Sequence, residues 1–404
     1  MALLIERGSA EFRRTMLALF SAGFSTFALM YCVQPLLPEF TREFGLSAAS
    51  SSLAVSVTTG CLAAAMIVLG ALSEGWGRKP LMVTSLMLAA LLTMASAAAP
   101  SWPAFLTIRA IEGIAFAGLP AIAMAYVGEE IDRSSVGLAM GLYVSGTALG
   151  GMSGRLLTAV LTDAASWRVA VAVIGGIGTV AALVVWIALP PSAHFRRRSL
   201  APGTLVRAYT AHLRDPLLAR LFAEGFIFMG VFMATYNYIA FRLLQPPYAL
   251  SQTAAGSVFI LYLLGMASSP WAGSLAGRFG RRRTLVLTLA LMAAGVLLTM
   301  LAPLAAVVCG IGLLTSGFFG AHSVTSSWIG LHAEQRRAQA SSLYLCFYYL
   351  GASVTGSLGG LFWERFGWTG VACFLLALLA IALTLARGLE PGAGERQPAL
   401  ELPA

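Results

Sequence analysis

The amino-acid sequence predicts an all-α membrane protein with twelve transmembrane helices, arranged as two six-helix bundles that are parallel repeats of each other. Three observations support this fold class. The 404 residues are 58% hydrophobic and 11% charged, whereas soluble domains carry about 25% charged residues. Apolar runs of about 20 residues, the length needed to cross a bilayer, recur twelve times. A segment rich in glycine and arginine at residues 70–80 returns at residues 273–283, which indicates a duplicated half.

Each apolar run is predicted to be a helix, because a backbone in hydrocarbon must satisfy its polar groups within its own segment. The runs of the first half lie roughly at 15–37, 51–73, 80–99, 102–126, 136–160 and 168–190. The runs of the second half lie roughly at 217–240, 252–276, 284–302, 304–327, 338–362 and 367–386. The chain is therefore divided into an N-terminal six-helix bundle at 1–190, a cytoplasmic linker at 191–216, a C-terminal six-helix bundle at 217–387 and a disordered tail at 388–404.

The distribution of basic residues predicts the orientation of the chain. If both termini are cytoplasmic, 20 of the 26 Lys and Arg residues fall in cytoplasmic segments and 4 fall in outer loops. Cytoplasmic loops of membrane proteins carry such an excess, so we expect a multi-pass protein of the bacterial inner membrane with both termini cytoplasmic. The net charge of +9 then reflects topology and contact with membrane lipid, and no nucleic-acid partner is expected.

The scarcity of clustered reactive groups argues against an enzyme. The 5 cysteines lie singly in apolar runs and the 4 histidines are not paired with a nearby acid, so the sequence offers no metal site and no cofactor site. A passive channel would carry a filter or a ring of charge repeated by oligomerisation, whereas this chain contains two halves that differ in sequence. Transport by a single repeated chain remains the favoured class.

The repeated segment carries a recognisable motif. Its first copy contains Gly70, Glu74, Gly77, Arg78 and Lys79, and its second copy contains Gly273, Gly280 and Arg281. Both copies resemble the cytoplasmic loop motif G-x-L-x-D-x-x-G-R-[RK] of the major facilitator superfamily, with glutamate in place of the aspartate in the first copy. The resemblance implies that this acid meets a helix N-terminus and loop arginines and thereby gates the cytoplasmic side. The alternative is a plain topological role for the charged loop.

Four ionisable side chains lie within predicted helices, where a charge is costly enough to indicate a function or a partner. Arg109 and Glu112 are three residues apart on helix four and therefore share one face. Arg155 lies on helix five and Glu224 on helix seven. Two positive and two negative charges balance, as expected if they pair across a polar cavity, and Asp163 or Glu112 are the expected partners of Arg155.

The segment around Arg109 resembles the helix-four motif R-x-x-Q-G-x-x-x-x-G of proton-driven facilitators, with Glu112 in place of the glutamine. The resemblance implies that this arginine takes part in proton transfer, and a carboxyl beside it can itself titrate. We therefore predict that Arg109 and Glu112 couple transport to protons, with Glu224 as a second carboxylate on the opposite bundle and His322 as a weaker candidate. The alternative is a permanent ion pair that locks helix four to its neighbours.

Closely spaced glycines mark helix five. The segment that resembles the antiporter motif ending in G-P-x-x-G-G contains Gly146, Gly150, Gly151, Gly154 and Arg155. A threonine replaces the proline of that motif. The resemblance implies export in exchange for protons, while the alternative role of such glycines is close packing between helices.

Polar residues near the ends of helices one and seven are candidates for the substrate path. Gln34 and Asn237 carry amides at membrane depth beside aromatic residues. Tyr143 and Tyr348 would add hydrogen-bonding groups to the wall of a largely apolar cavity. Alternatively, the aromatic residues belong to the interfacial belt.

The resemblance to the major facilitator superfamily covers the chain up to about residue 388. Within that family, the chain is similar to inner-membrane transport proteins near the arabinose-efflux and drug-exporter branches. The resemblance implies a monomeric secondary transporter that works by alternating access. The hypothesis is a proton-coupled exporter, an antiporter that exchanges protons for a small neutral or lipophilic solute, since few charges lie in the helices. The alternative is a proton-coupled symporter that imports a sugar or an organic acid.

Overall fold

The structure, a computed structural model, describes residues 4–195, 202–333 and 337–389. Within these ranges the side chains of residues 68–76, 121, 202, 204–206, 208 and 338 are not described. The first half of the chain contains α1 (Ala10–Tyr31), α2 (Leu37–Phe44), α3 (Ala48–Trp76), α4 (Arg78–Ser96), α5 (Trp102–Phe116), α6 (Leu119–Glu130), α7 (Val136–Ala164) and α8 (Trp167–Ala188). The second half contains α9 (Pro202–Arg214), α10 (Pro216–Leu244), α11 (Gln252–Gly256), α12 (Tyr262–Phe279), α13 (Arg281–Thr299), α14 (Leu304–His332) and α15 (Arg337–Arg387). Short 3-10 turns join α1 to α2 at Gln34–Leu36 and α11 to α12 at Ser257–Leu261.

Ten helical segments in the described ranges are long and apolar enough to cross a membrane. The difference from the expected twelve arises at two places. The fourth apolar run is divided into α5 and α6, and Pro120, which has no backbone N–H to donate, lies in the first turn of α6. The last two runs both lie within α15, which is interrupted at Gly367 with φ 59° and ψ −149°, a backbone conformation that favours glycine.

The two copies of the glycine-rich segment form the same backbone turn. Gly77 has φ 85° and ψ 152°, and Gly280 has φ 88° and ψ 150°. These glycines separate α3 from α4 and α12 from α13. Because a residue with a Cβ atom is strained at such a positive φ, glycine at both positions makes the sequence repeat a structural repeat as well.

Close contacts between backbones hold each half together. In the first half, Gly146, Gly150 and Gly154 of α7 lie against the backbone of α1. A Cβ atom added at Gly146 would lie 2.5 Å from the carbonyl oxygen of Phe20, and one at Gly154 would lie 2.7 Å from the Cα atom of Ala28. The second half repeats this kind of contact between α10 and α15. Small residues allow such an approach in membrane helices. We refer to α1–α8 as the first bundle and to α10–α15 as the second bundle.

Because successive long helices run in opposite directions, the molecule has two end faces. The N-terminal face carries the residues before α1 and the turns after α3, α6 and α8. There, Ile5 pairs with Ile131 in an isolated parallel β-bridge, and Lys79 Nζ donates a hydrogen bond to the carbonyl of Leu189 at 2.5 Å. The opposite face carries the turns after α2, α4 and α7 and the corresponding turns of the second bundle.

Two carboxylates join the bundles at the opposite face. Asp163, near the end of α7, accepts hydrogen bonds from the backbone N–H groups of Gln252 (3.1 Å) and Thr253 (2.6 Å) at the start of α11. Glu364 of α15 accepts a hydrogen bond from the backbone N–H of Ala49 (3.0 Å) at the start of α3. In both contacts, here named the helix-end latches, a carboxylate of one bundle meets a helix N-terminus of the other, where negative charge is stabilised.

Candidate functional site

Arg109 and Glu112 form an ion pair of 2.6 Å between Nη1 and Oε2, and neither side chain is exposed. The guanidinium of Arg109 also donates through Nε to the carbonyl of Ala54 (3.0 Å) and through Nη2 to the carbonyl of Met30 (2.7 Å). The other carboxylate oxygen of Glu112 accepts a hydrogen bond from the hydroxyl of Thr93 (2.6 Å). At this point α5 is therefore tied to α1, α3 and α4.

This arrangement is a clamp within the first bundle. All three guanidinium nitrogens of Arg109 donate a hydrogen bond, and both oxygens of Glu112 accept one. Hydrogen bonds to every guanidinium nitrogen and both carboxylate oxygens make a buried ion pair tolerable, and removal of one partner would leave an uncompensated charge. The clamp agrees with the alternative role considered for the pair, and its part in proton coupling stays a prediction.

Arg155 lies in a cage of aromatic rings. Its guanidinium carbon is 4.2 Å from the ring centroid of Tyr31, 5.1 Å from that of Tyr262 and 5.2 Å from that of Phe259. Nη1 also donates a hydrogen bond to the carbonyl of Gly151 (2.6 Å). Tyr31 belongs to the first bundle and the other two rings belong to the second, so both bundles build the cage. The face of an aromatic ring attracts a cation, most strongly where both are shielded from water.

A chain of amide hydrogen bonds extends from Arg155 into the second bundle. Nε of Arg155 donates to Oε1 of Gln34 at 2.5 Å. Nε2 of Gln34 then donates to Oδ1 of Asn237 at 2.7 Å and lies 3.0 Å from the sulfur of Met233. The two amides that the sequence indicated for the substrate path are therefore in direct contact and link α10 to the first bundle.

The acids expected to neutralise Arg155 bind elsewhere. The carboxylate of Asp163 accepts hydrogen bonds from the start of α11, and that of Glu112 pairs with Arg109. Among the residues that the structure describes, no carboxylate forms an ion pair with Arg155. That prediction is wrong, because a carboxylate near the end of one helix is drawn to the unpaired backbone N–H groups at the start of another.

Glu224 is fully buried in α10, and neither of its carboxylate oxygens has a hydrogen-bond partner within the described part of the chain. It therefore does not pair with Arg155, contrary to the expected balance of four charges. An ionised carboxylate without a partner at membrane depth costs at least about 3 kcal/mol. The surroundings of Glu224 in this structure therefore suit its protonated, neutral carboxyl group.

Aromatic rings follow Glu224 along α10 toward the cage. Phe228, Phe232 and Tyr236 succeed it at intervals of four residues, so each lies about one helical turn beyond the last. The ring centroid of Tyr262 lies 5.6 Å from that of Phe232 and 5.4 Å from that of Tyr236. Over these twelve residues the axis advances about 18 Å, so an aromatic track connects the buried acid with the surroundings of the buried arginine.

A second aromatic cluster, at the interface of α14 and α15, borders this track. Nδ1 of His322 lies 2.7 Å from the hydroxyl of Tyr344, and its ring centroid lies 5.1 Å from that of Tyr348. Tyr348 is one of the residues predicted to line the cavity. Tyr143, also predicted, has a buried hydroxyl that finds no partner among the described atoms. Phe259 was not among the residues predicted for the site, since an aromatic residue in a membrane helix carries no signal of its own.

The first glycine-rich loop carries an ion pair at the N-terminal face. Arg78 donates two hydrogen bonds, of 2.7 Å and 3.1 Å, to the carboxylate of Glu129 in α6. Its guanidinium carbon also lies 5.1 Å from the ring centroid of Phe195. Gly70 and Glu74 lie outside the residues whose side chains are described, so the gating contact of the acid stays a prediction.

The second glycine-rich loop repeats the backbone turn of the first. A Cβ atom added at Gly273 would meet no described atom within 4 Å, so close packing does not explain this glycine. Gly280 supplies the positive-φ turn and Arg281 begins α13. The two copies therefore share a backbone turn.

Two bundles that repeat one another, with charged groups buried between helices and latches at one end, define a multi-pass membrane transport protein. The chain belongs to the Major Facilitator Superfamily, whose family model matches residues 19–243 and 236–403. It is 47% identical over 379 residues to the inner membrane transport protein YnfM of Escherichia coli (strain K12), with 94% of this chain and 91% of that one covered. It is 48% identical over 381 residues to the uncharacterized MFS-type transporter YybF of Bacillus subtilis (strain 168), with 94% of each chain covered.

Solved structures of other transporters have the same fold. One is a bacterial homolog of the human lysosomal transporter Spinster, with a TM-score of 0.76 and 14% identity over 94% of this chain and 95% of that one. Another is the nucleoside transporter NupG, with a TM-score of 0.77 and 14% identity over 92% of this chain and 99% of that one. The expected family and the similarity to inner-membrane transport proteins are confirmed, and the protein is a transporter rather than an enzyme.

Proposed function

We propose that the protein is a proton-coupled exporter of a small, largely apolar solute and that it works by alternating access. Family membership supports secondary transport of a small molecule. We also propose that the chain crosses the membrane twelve times, with α5 and α6 together forming the fourth crossing and α15 supplying the last two. The N-terminal face would be cytoplasmic, and the protein would be a monomer in contact with lipid. Its bundles would occupy residues 1–190 and 217–387, on either side of the linker 191–216.

The observation that carries proton coupling is the buried carboxyl of Glu224, whose oxygens find no hydrogen-bond partner among the described residues. In this conformation the neutral acid is favoured, because the described surroundings offer an ionised carboxylate no compensating group. A movement of the bundles that admits water would stabilise the ion and release the proton. Glu112 already has Arg109 beside it, so its ionised form is compatible with its present surroundings. Glu224 is therefore the first carboxyl to test, and Glu112 is the second.

The contacts between the bundles indicate which face is closed in this conformation. The two helix-end latches and the hydrogen bond from the Ser353 hydroxyl to the carbonyl of Ser56 (2.7 Å) lie in the half of the molecule nearer the opposite face. If that face is periplasmic, this conformation is closed to the periplasm, and exporters and importers both adopt such a state during alternating access. The direction of transport is proposed from the glycine motif of α7, which resembles that of antiporters.

Proton movement in everted membrane vesicles tests this proposal and distinguishes it from symport. Vesicles without an imposed gradient are given aromatic acids, neutral drugs and sugars, while a pH-sensitive dye reports the pH of the medium. Because the cytoplasmic face points outward, an antiporter takes solute in, sends protons out and acidifies the medium. A symporter carries protons in with the solute and makes the medium alkaline.

Matched variants assign the proton site. Glu224→Gln should abolish the proton movement that accompanies transport. Glu39→Gln changes a glutamate that is paired with Arg42 within α2 and should leave proton movement unchanged. Coupling that persists in Glu224→Gln but disappears in Glu112→Gln would move the role to the ion pair of α5. Solute uptake by the native protein without any change of pH would refute proton coupling.

A further inference from the structure

Arg155 is a buried cation for which the described residues supply no negative charge. Only 1% of its surface is exposed. Arg109 is equally deep, but its ion pair with Glu112 is neutral as a unit. If Glu224 holds its proton, the side chains buried in the described spanning helices carry one uncompensated positive charge. Such a charge is costly at membrane depth and marks a functional site by default.

The guanidinium and the hydroxyl next to it offer hydrogen-bond donors that lack partners. A guanidinium has five N–H groups, and the described hydrogen bonds use three of them, to Gln34, Gly151 and the hydroxyl of Tyr262. The hydroxyl of Tyr31, whose ring centroid lies 4.2 Å from the guanidinium carbon, is buried and meets no partner in the described part of the molecule. A ligand group that only accepts hydrogen bonds fits these donors, and charge-assisted bonds to such a group are about twice as strong as neutral ones.

We propose that Arg155 and the tyrosines around it form the substrate site, and that the substrate is an organic monocarboxylate with an aromatic or other apolar body. This inference rests on the proposed transport function and names its substrate class. One arginine balances one negative charge, which favours a monoanion over a dianion. The rings of Tyr31, Phe259 and Tyr262 supply apolar walls for the body of the solute. A neutral solute was expected because few charges lie in the helices. A lipophilic monoanion carries a single charge, and that charge would pair with Arg155.

A ligand bound at this site would alter a hydrogen-bonded contact between the two bundles. A carboxylate on Arg155 competes with Gln34 for the Nε–H group, and the amide of Gln34 holds Asn237 of the second bundle at 2.7 Å. The substrate therefore acts on a hydrogen-bonded chain that joins both halves. A ligand shifts a conformational equilibrium only through contacts that differ between the two states, and this chain supplies such a contact.

Binding to the purified protein in detergent tests the inference without a proton gradient. The probes are benzoate, phenylacetate and 4-hydroxyphenylacetate, each beside its neutral amide, with sodium chloride as the salt control. The measurement is the rise of the unfolding temperature with probe concentration, which reports the affinity of the folded state. The native protein is expected to bind at least one of these acids about tenfold or more tightly than its amide, because only the acid forms the charge-assisted bonds.

Two variants and one control assign this preference to the cage. Arg155→Gln should remove the preference for the acid. Arg168→Gln removes an arginine that is paired with Glu43 at the opposite face and should bind as the native protein does. Tyr31→Phe keeps the ring beside the guanidinium and removes its hydroxyl. It should weaken binding of the acid about threefold or more and leave the amide unaffected, which keeps the test decisive if Arg155→Gln does not fold.

Three results would overturn the assignment. These are equal binding of acid and amide, binding of none of the acids by the native protein, and an acid preference that survives in both Arg155→Gln and Tyr31→Phe. The outcome is separate from that of the vesicle experiment. A protein that binds the acid but moves no protons would refute the coupling and support the site, whereas proton coupling with neutral solutes alone would do the reverse.

Discussion

Replacing both latch carboxylates should open the opposite face. Asp163→Asn and Glu364→Gln keep the shape of each side chain and remove its charge from a helix N-terminus. Asp163 accepts two backbone hydrogen bonds and Glu364 accepts one. The loss of a charged group at such a position costs about 1 kcal/mol. Because the two latches involve different helix pairs, their effects should add, which destabilises the closed conformation by about 2 kcal/mol.

A change of about 2 kcal/mol corresponds to a factor of about 30 in the ratio of two conformations. An open population of about 1% would then rise to about 20%. The assay is a distance measurement between spin labels at Ala165 and Leu304, which lie on the opposite face in different bundles and are exposed. The five native cysteines are replaced first, so that the labels occupy these positions alone.

The control is Glu39→Gln, which removes a carboxylate from the same face without breaking a contact between the bundles, because Glu39 pairs with Arg42 in its own helix. Each single latch variant should produce about a fivefold change in the ratio. A distance distribution in the double variant that matches that of the native protein would show that the latches do not hold this face closed. An equal change in the control would point to the net charge of the face instead.

Two further changes test the packing and the N-terminal face. Gly150→Ala places a methyl group against the carbonyl of Phe24 in α1 and should lower the free energy of unfolding by about 3 kcal/mol. The control Gly141→Ala, on the same helix, meets no described atom within 4 Å and should change the free energy of unfolding by less than about 1 kcal/mol. Equal melting temperatures of the two variants in detergent would contradict the close approach of α7 to α1. A double-mutant cycle of Arg78→Gln and Glu129→Gln should give a coupling energy of about 1–2 kcal/mol, because one partner is nearly buried and the pair makes two hydrogen bonds. Strictly additive losses of stability would show that the pair contributes nothing of its own.

Features that depend on local backbone chemistry were predictable from the sequence. The glycines at 77 and 280 take the same positive φ, and the sequence repeat located both. The glycines of helix five lie where close packing requires them, as one of the two interpretations stated. Family membership followed from the same motifs, since they combine a fixed spacing with a residue type that has no substitute at a turn or at a close helix contact.

The partners of buried charges on different helices could not be predicted, because they depend on which helices become neighbours. Arg155 was expected to meet Asp163 or Glu112, and it meets aromatic rings and an amide instead. Asp163 and Glu364 are acids near helix ends, and nothing in their local sequence distinguishes an acid that caps a distant helix from one that faces water. The helix count differed for a related reason, since a break within one crossing and a kink at Gly367 change how continuous a helix is without changing the apolar pattern.

The two helix-end latches occupy equivalent places in the two halves. Glu364 follows Asp163 by 201 residues, and Thr253 follows Ala49 by 204. Each receiving helix also begins with a serine N-cap. A protein made of one half, if it associated with a second copy about a two-fold axis, would form both latches from a single acid and a single helix start, because such an interface uses every contact twice. An ancestral dimer of half-length chains would thus have been closed at this face before gene duplication and fusion joined its subunits.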